Sequence, residues 1–144
     1  MLNDFSERFG TMLFAQYPDW RKYAVEDSEF DDGSSLVVQV PCPNPRVIAG
    51  LVITTEGDEV TVGLDRYHTH FMQDEEQAFE SALEFIAMLM SEELVILVYM
   101  NDEKWAGSRC VGPDDPWPPP VPGQRRYLRS WLGTLDSEML GPES

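Results

Sequence analysis

Chemistry in this chain would centre on its only two histidines. His68 and His70 lie in Tyr67-His68-Thr69-His70-Phe71, at the end of an alternating stretch that begins at Val60. Two imidazoles at i and i+2 of an extended segment share one face, with Cα atoms roughly 6.5–7 Å apart. That separation lets both bind one metal ion. A hydrolytic zinc site takes three protein ligands and keeps one position open. No third histidine exists, so Asp65, Asp74, Glu75 or Cys110 would have to complete the set. One reading is therefore a small metal-dependent hydrolase built on His68, His70 and Asp74. The preferred reading has no metal and no cofactor, with the two histidines at a strand end beside aromatics of the core, because two ligands alone make a weak site.

Parity constrains that strand. Val60, Val62 and Leu64 should face the core. An unbroken strand would then bury Arg66, His68 and His70 and expose Tyr67 and Phe71, against the usual partition of those residue types. A β-bulge or a strand break near Gly63–Arg66 would restore it, with Tyr67 and Phe71 inside and the histidines outside.

Acidic groups surround the pair. Asp74, Glu75 and Glu76 open the next segment, and Asp31 and Asp32 close an acidic stretch that starts at Glu26. Counted from Asp27, that stretch lacks the sixth-position glycine and the twelfth-position glutamate of an EF-hand, so it reads as a solvated loop. The formal net charge is −16. Residues 1–103 hold 21 Asp/Glu against 5 Lys/Arg, whereas residues 104–144 hold 5 of each. The imbalance thus belongs to the first three quarters of the chain. Such a field repels nucleic acid and anionic membranes and attracts basic partners.

Other chemistry finds no support. GxSxG, GxGxxG, the P-loop and HExxH are all absent, and no catalytic residue is assigned. Cys42 and Cys110 have no CxxC spacing, which argues against zinc-ribbon and thioredoxin readings. Cys110 with a histidine could form a nucleophilic pair, but a cysteine in a strand is more often a small core residue. The longest apolar run, Leu94–Met100, is too short to cross a membrane. Met1-Leu2-Asn3-Asp4 has no basic leader region. A soluble cytoplasmic protein with reduced thiols is expected.

The elements that must position these residues follow from periodicity. Asn3 or Asp4 caps a helix to about Tyr17, striped by Phe5, Phe9, Met12 and Leu13 and stopped by Pro18. Strands are expected over Ser35–Val40, Arg46–Thr55 and the stretch from Val60. A second helix follows Asp74, with Phe79, Ala82, Leu83, Ile86, Leu89 and Met90 on one face. Strands Leu94–Met100 and Lys104–Val111 come next. Residues 112–123 form a proline-rich surface loop with polyproline II character, in which Trp117 should dock on the protein's own sheet or first helix. Gln124–Asp136 is a last strand or short helix, and 137–144 a loose end. The expectation is one α+β domain over 1–144. It is a mostly antiparallel sheet of five to six strands with two main helices packed on it, in the order α-β-β-β-α-β-β before the last element.

Three local texts carry a resemblance: Tyr67-His68-Thr69-His70-Phe71, Asp74-Glu75-Glu76, and Arg129-Ser130-Trp131-Leu132-Gly133. With this layout they resemble bacterial immunity proteins of polymorphic toxin systems. The resemblance implies a single-domain neutraliser of a cognate, basic toxin effector domain that acts by blocking, as a monomer or homodimer. The binding surface is expected at Asp31, Asp32, Asp65, His68, His70, Asp74, Glu75 and Glu76. The competing classes are the His68/His70 hydrolase and a housekeeping protein-interaction module.

Overall fold

The computed structural model describes residues 1–25, 33–119 and 121–140. It is α+β, with two antiparallel four-stranded sheets. The chain forms two compact units. The first comprises Met1–Pro41, Ala49–Leu64 and His68–Ile86, and the second Cys42–Ile48, Asp65–Tyr67 and Ala87–Ser144.

In the first unit, α1 (Asp4–Gln16) is capped by Asn3, whose side chain accepts the Ser6 amide proton at 2.8 Å. Its apolar stripe Phe5, Phe9 and Leu13 is buried. A 3-10 turn, Pro18–Tyr23, follows. The sheet runs β1 (Val37–Val40), β2 (Leu51–Glu56), β3 (Glu59–Leu64) and β4 (Tyr67–Phe71) in that spatial order. Val38 faces Ile53, and Ile53 faces Val62. All three are fully buried, as period-two alternation on a one-sided sheet requires. The second helix, α2, spans Glu75–Met90. The Phe79 ring meets Phe5 at 5.0 Å and Phe9 at 5.2 Å between centroids. Ser6 Oγ and Thr55 Oγ1, both buried and 2.5 Å apart, tie α1 to β2.

The second unit is centred on β5 (Val95–Asn101), whose Val95 to Val98 are buried. It lies between β6 (Lys104–Val111) and β7 (Gln124–Arg129), and β8 (Ser137–Leu140) pairs on the far side of β7. Val95, Leu97 and Leu128 form an apolar cluster against which Tyr99, Val111 and Trp117 pack. Residues 116–119 are neither helix nor strand. Arg126 in β7 is 1% exposed. Its guanidinium donates to the Pro118 carbonyl and to Met139 Sδ and stands 5.5 Å from the Trp117 ring centre.

The structure corrects the sequence reading in three places and bears it out in one. The single sheet of five to six strands is two sheets with eight strands among the described residues. The break expected near Gly63–Arg66 is present: the stretch from Val60 to Phe71 is two paired strands, separated at Asp65-Arg66, where Asp65 has φ 56°. Strand β2 starts at Leu51 rather than Arg46, because Ala49 (φ 65°) and Gly50 (φ 67°) are left-handed and break extended pairing. The first part of the loose C-terminal end is β8, held to β7 in the register Arg125–Leu140 to Leu128–Ser137. Among the described residues no helix is long and apolar enough to cross a membrane.

Candidate functional site

The break at Asp65-Arg66 sets the faces of β4. Tyr67, Thr69 and Phe71 turn inward to partial burial, and His68 and His70 turn out to solvent. Phe71 packs on Phe85 of α2, with ring centres 5.8 Å apart. The outward rings of His68 and His70 have centres 5.1 Å apart and planes at 86° to each other. His70 Nδ1 lies 2.7 Å from Glu59 Oε1 and 2.8 Å from Thr61 Oγ1, both on β3.

The acidic residues divide sharply in their availability. Asp74 and Glu76 are exposed at the start of α2, where carboxylates favour the helix dipole. Glu75 is taken up by Arg8 of α1, whose Nε donates to Oε2 at 2.9 Å and whose Nη2 donates to Oε1 at 2.5 Å. That bidentate hydrogen bond holds the Glu75 carboxyl below its usual range. Asp65 is also spent, since Oδ1 accepts from the Ile48 amide at 2.9 Å and Oδ2 from the Tyr127 hydroxyl at 3.2 Å. Burial first, and the Asp65 charge after it, push the Tyr127 hydroxyl up. Glu75 and Asp65 thus serve internal bonds rather than a free contact surface. Asp31 and Asp32 lie outside the described residues.

Glu80 and Glu84 lie on the wet face of α2, opposite its apolar stripe. With Glu76 they form an exposed row at i, i+4 and i+8 of α2. Like charges at that spacing cost about 0.2–0.5 kcal/mol per pair, and no Lys or Arg on α2 relieves them. The spacing of four was the signal that could have found the row.

Among the described residues no three His, Cys, Asp or Glu side chains come together as a metal-binding set. His68, His70 and Asp74 are not brought together as such a set. The thiols are poor nucleophiles. Burial pushes Cys110 up to about 11, and burial is also the main cause raising Cys42, which donates to the Trp131 carbonyl at 3.2 Å. At pH 8 Cys110 should react with a disulfide reagent at least tenfold more slowly in the native protein than in denaturant, and Cys42 should also be slowed, because the thiolate is the attacking species. Native rates equal to the denatured ones would refute this.

A polar cluster in the second unit escaped the sequence reading. Asp136, with 7% of its side chain exposed, accepts from the Ser130 amide at 2.8 Å, Asn44 Nδ2 at 2.9 Å and Arg46 Nη1 at 2.8 Å. Burial works to raise this carboxyl. The Ser130, Asn44 and Arg46 hydrogen bonds, with the Arg129 charge, outweigh it and hold the group below its usual range. Gly133, at φ 85°, passes so close that a Cβ there would meet Asn44 at 3.3 Å. The cluster pins the 130–136 turn to residues 44–46, which is a structural task. Searches of protein-family models, curated proteins and solved structures find no match to this chain.

Proposed function

We propose that the protein is an acidic binding protein that neutralises a cognate bacterial toxin domain by occluding it. The observation that carries this reading is the concentration of unspent negative charge. The first unit holds 16 Asp/Glu against 3 Lys/Arg, so −13 of the −16 resides there. One of those three bases, Arg8, is already paired with Glu75. The glutamate row on α2 lowers helix stability slightly and leaves a one-signed ridge facing solvent. A basic toxin domain would be steered toward such a surface, and its cationic cleft would be filled by carboxylates in place of phosphates. The contact surface in this reading comprises Asp74 and Glu76, extended by Glu80 and Glu84, whereas His68 and His70 lie on the face of β4 opposite the one that packs on α2.

Co-expression with the toxin domain encoded by a neighbouring gene tests the proposal. Growth should be restored by this chain. Stopped-flow association should slow steeply with added salt, as the Debye length falls from about 10 Å at 0.1 M to about 3 Å at 1 M. Reversing Glu76, Glu80 and Glu84 to lysine should slow association at low salt by about tenfold or more. Failure to protect would sink the proposal, and a salt-independent rate would reduce the acidity to an aid to solubility.

A further inference from the structure

The outer face of the β3–β4 pair carries a second, separable feature. Two imidazoles that each bind one ion through a nitrogen at about 2.0–2.1 Å hold their ring centres roughly 4.5–5.2 Å apart, for angles from square-planar to tetrahedral. The His68 and His70 ring centres stand at 5.1 Å. The strand backbone supplies this spacing, because i and i+2 share a face.

The surroundings of His70 add an independent observation. Its Nδ1 lies 2.7 Å from the Glu59 carboxylate and 2.8 Å from the Thr61 hydroxyl. A proton on Nδ1 donated to Glu59 fixes the tautomer that leaves the Nε2 lone pair free. A carboxylate behind a histidine in this way fixes the ring's orientation as a ligand. Both rings are exposed, so further coordination positions are open to water. The −13 charge of the unit raises the local concentration of cations.

We infer that His68 and His70 form a two-imidazole site for a borderline divalent transition ion (zinc, nickel or copper), with Glu59 as the outer carboxylate that orients His70. Imidazole donors select these ions over calcium and magnesium, which prefer oxygen. Asp74 has no part in it. The site is an exchangeable one, with two protein ligands and water, and it needs no toxin partner.

Calorimetric titration of the whole chain with Ni²⁺ and Zn²⁺, with Ca²⁺ as the counter-probe, tests this. One equivalent should bind with a Kd on the order of 10 µM for nickel, and calcium should not compete at equal concentration. Either His68→Ala or His70→Ala should weaken binding at least tenfold. Glu59→Gln should weaken it by about tenfold, the lower end for loss of an outer carboxylate. Asp74→Asn should leave it unchanged. The four side chains are exposed or partly exposed, and unchanged circular dichroism will show that each variant folds. Binding that survives both histidine variants, calcium that displaces nickel, or no one-equivalent binding below about 1 mM would overturn the assignment, because each places the ion on the carboxylate surface or nowhere.

Discussion

Replacing Asp136 by alanine is expected to destabilise the protein by about 2–5 kcal/mol, although no periodic pattern in the sequence marks this residue. The carboxylate is nearly buried, and the groups it serves differ in what they lose. Arg46 is 58% exposed and can return to water, so its pair contributes little. Asn44 is 1% exposed, and its Nδ2 keeps only its bond to the Ser130 carbonyl. The Ser130 amide loses its acceptor outright. Each buried donor left unpaired costs about 1–3 kcal/mol. The effect should also depend on pH. The folded-state pKa of Asp136 lies below its value in the unfolded chain, so its contribution is complete above the unfolded carboxylate pKa of about 3.9. It drains away as pH falls through the folded value. Denaturant melts of parent and variant should therefore differ most near neutrality and converge in acid. A gap that stays constant down to pH 2 would contradict the assignment of the charge, and one under about 0.5 kcal/mol at neutral pH would contradict the whole account.

Trp117→Ala should cost about 2–4 kcal/mol, somewhat less than the 3–5 kcal/mol typical of fully buried aromatics. The indole is only partly exposed and packs on the Val95, Leu97 and Leu128 cluster. It also borders a cavity of about 250 Å³ shared with Arg109 and Val111, so its removal enlarges an existing void rather than allowing a collapse. The buried Arg126 guanidinium would lose the ring face beneath it. Trp117→Phe should recover most of the loss. The competing idea makes the proline segment a ligand for another protein, with Trp117 dispensable for folding. A loss below about 0.5 kcal/mol in a urea melt would favour that idea.

The elements legible in the sequence were those whose pattern is local. The stripe of Phe5, Phe9 and Leu13 and the repeat from Phe79 to Leu89 read as helices, and both are. The outward turn of His68 and His70 followed from parity, since keeping Tyr67 and Phe71 partly inside demanded a break that the Asp65 turn supplies. Trp117 was legible because a proline-flanked indole has few other ways to be buried. Strand β7 was ambiguous, because its text Gln-Arg-Arg-Tyr-Leu-Arg places a buried arginine in an interior strand, against the usual partition of charge. That burial depends on the Pro118 carbonyl and Met139, neither adjacent in sequence. Strand β8 gave no signal because all four of its residues are exposed. The Asp136 cluster could not be read at all, since Asn44 is 92 residues away. Asp65 and Glu75 looked like surface acids because their partners, Tyr127 and Arg8, are set by the fold alone.

The division into two units has a further consequence, one of inheritance. The chain passes from one unit to the other five times, at 41/42, 48/49, 64/65, 67/68 and 86/87. No single cut in the sequence releases either unit whole. A fragment from residue 87 onward would carry all of β5 to β8 but would lack Asn44 and Asp65, which hold Ser130, Asp136 and Tyr127. Neither unit can be transplanted, duplicated or recombined as a contiguous piece of gene. Change in this protein is therefore confined to substitutions and short insertions within one chain that alternates between its two units.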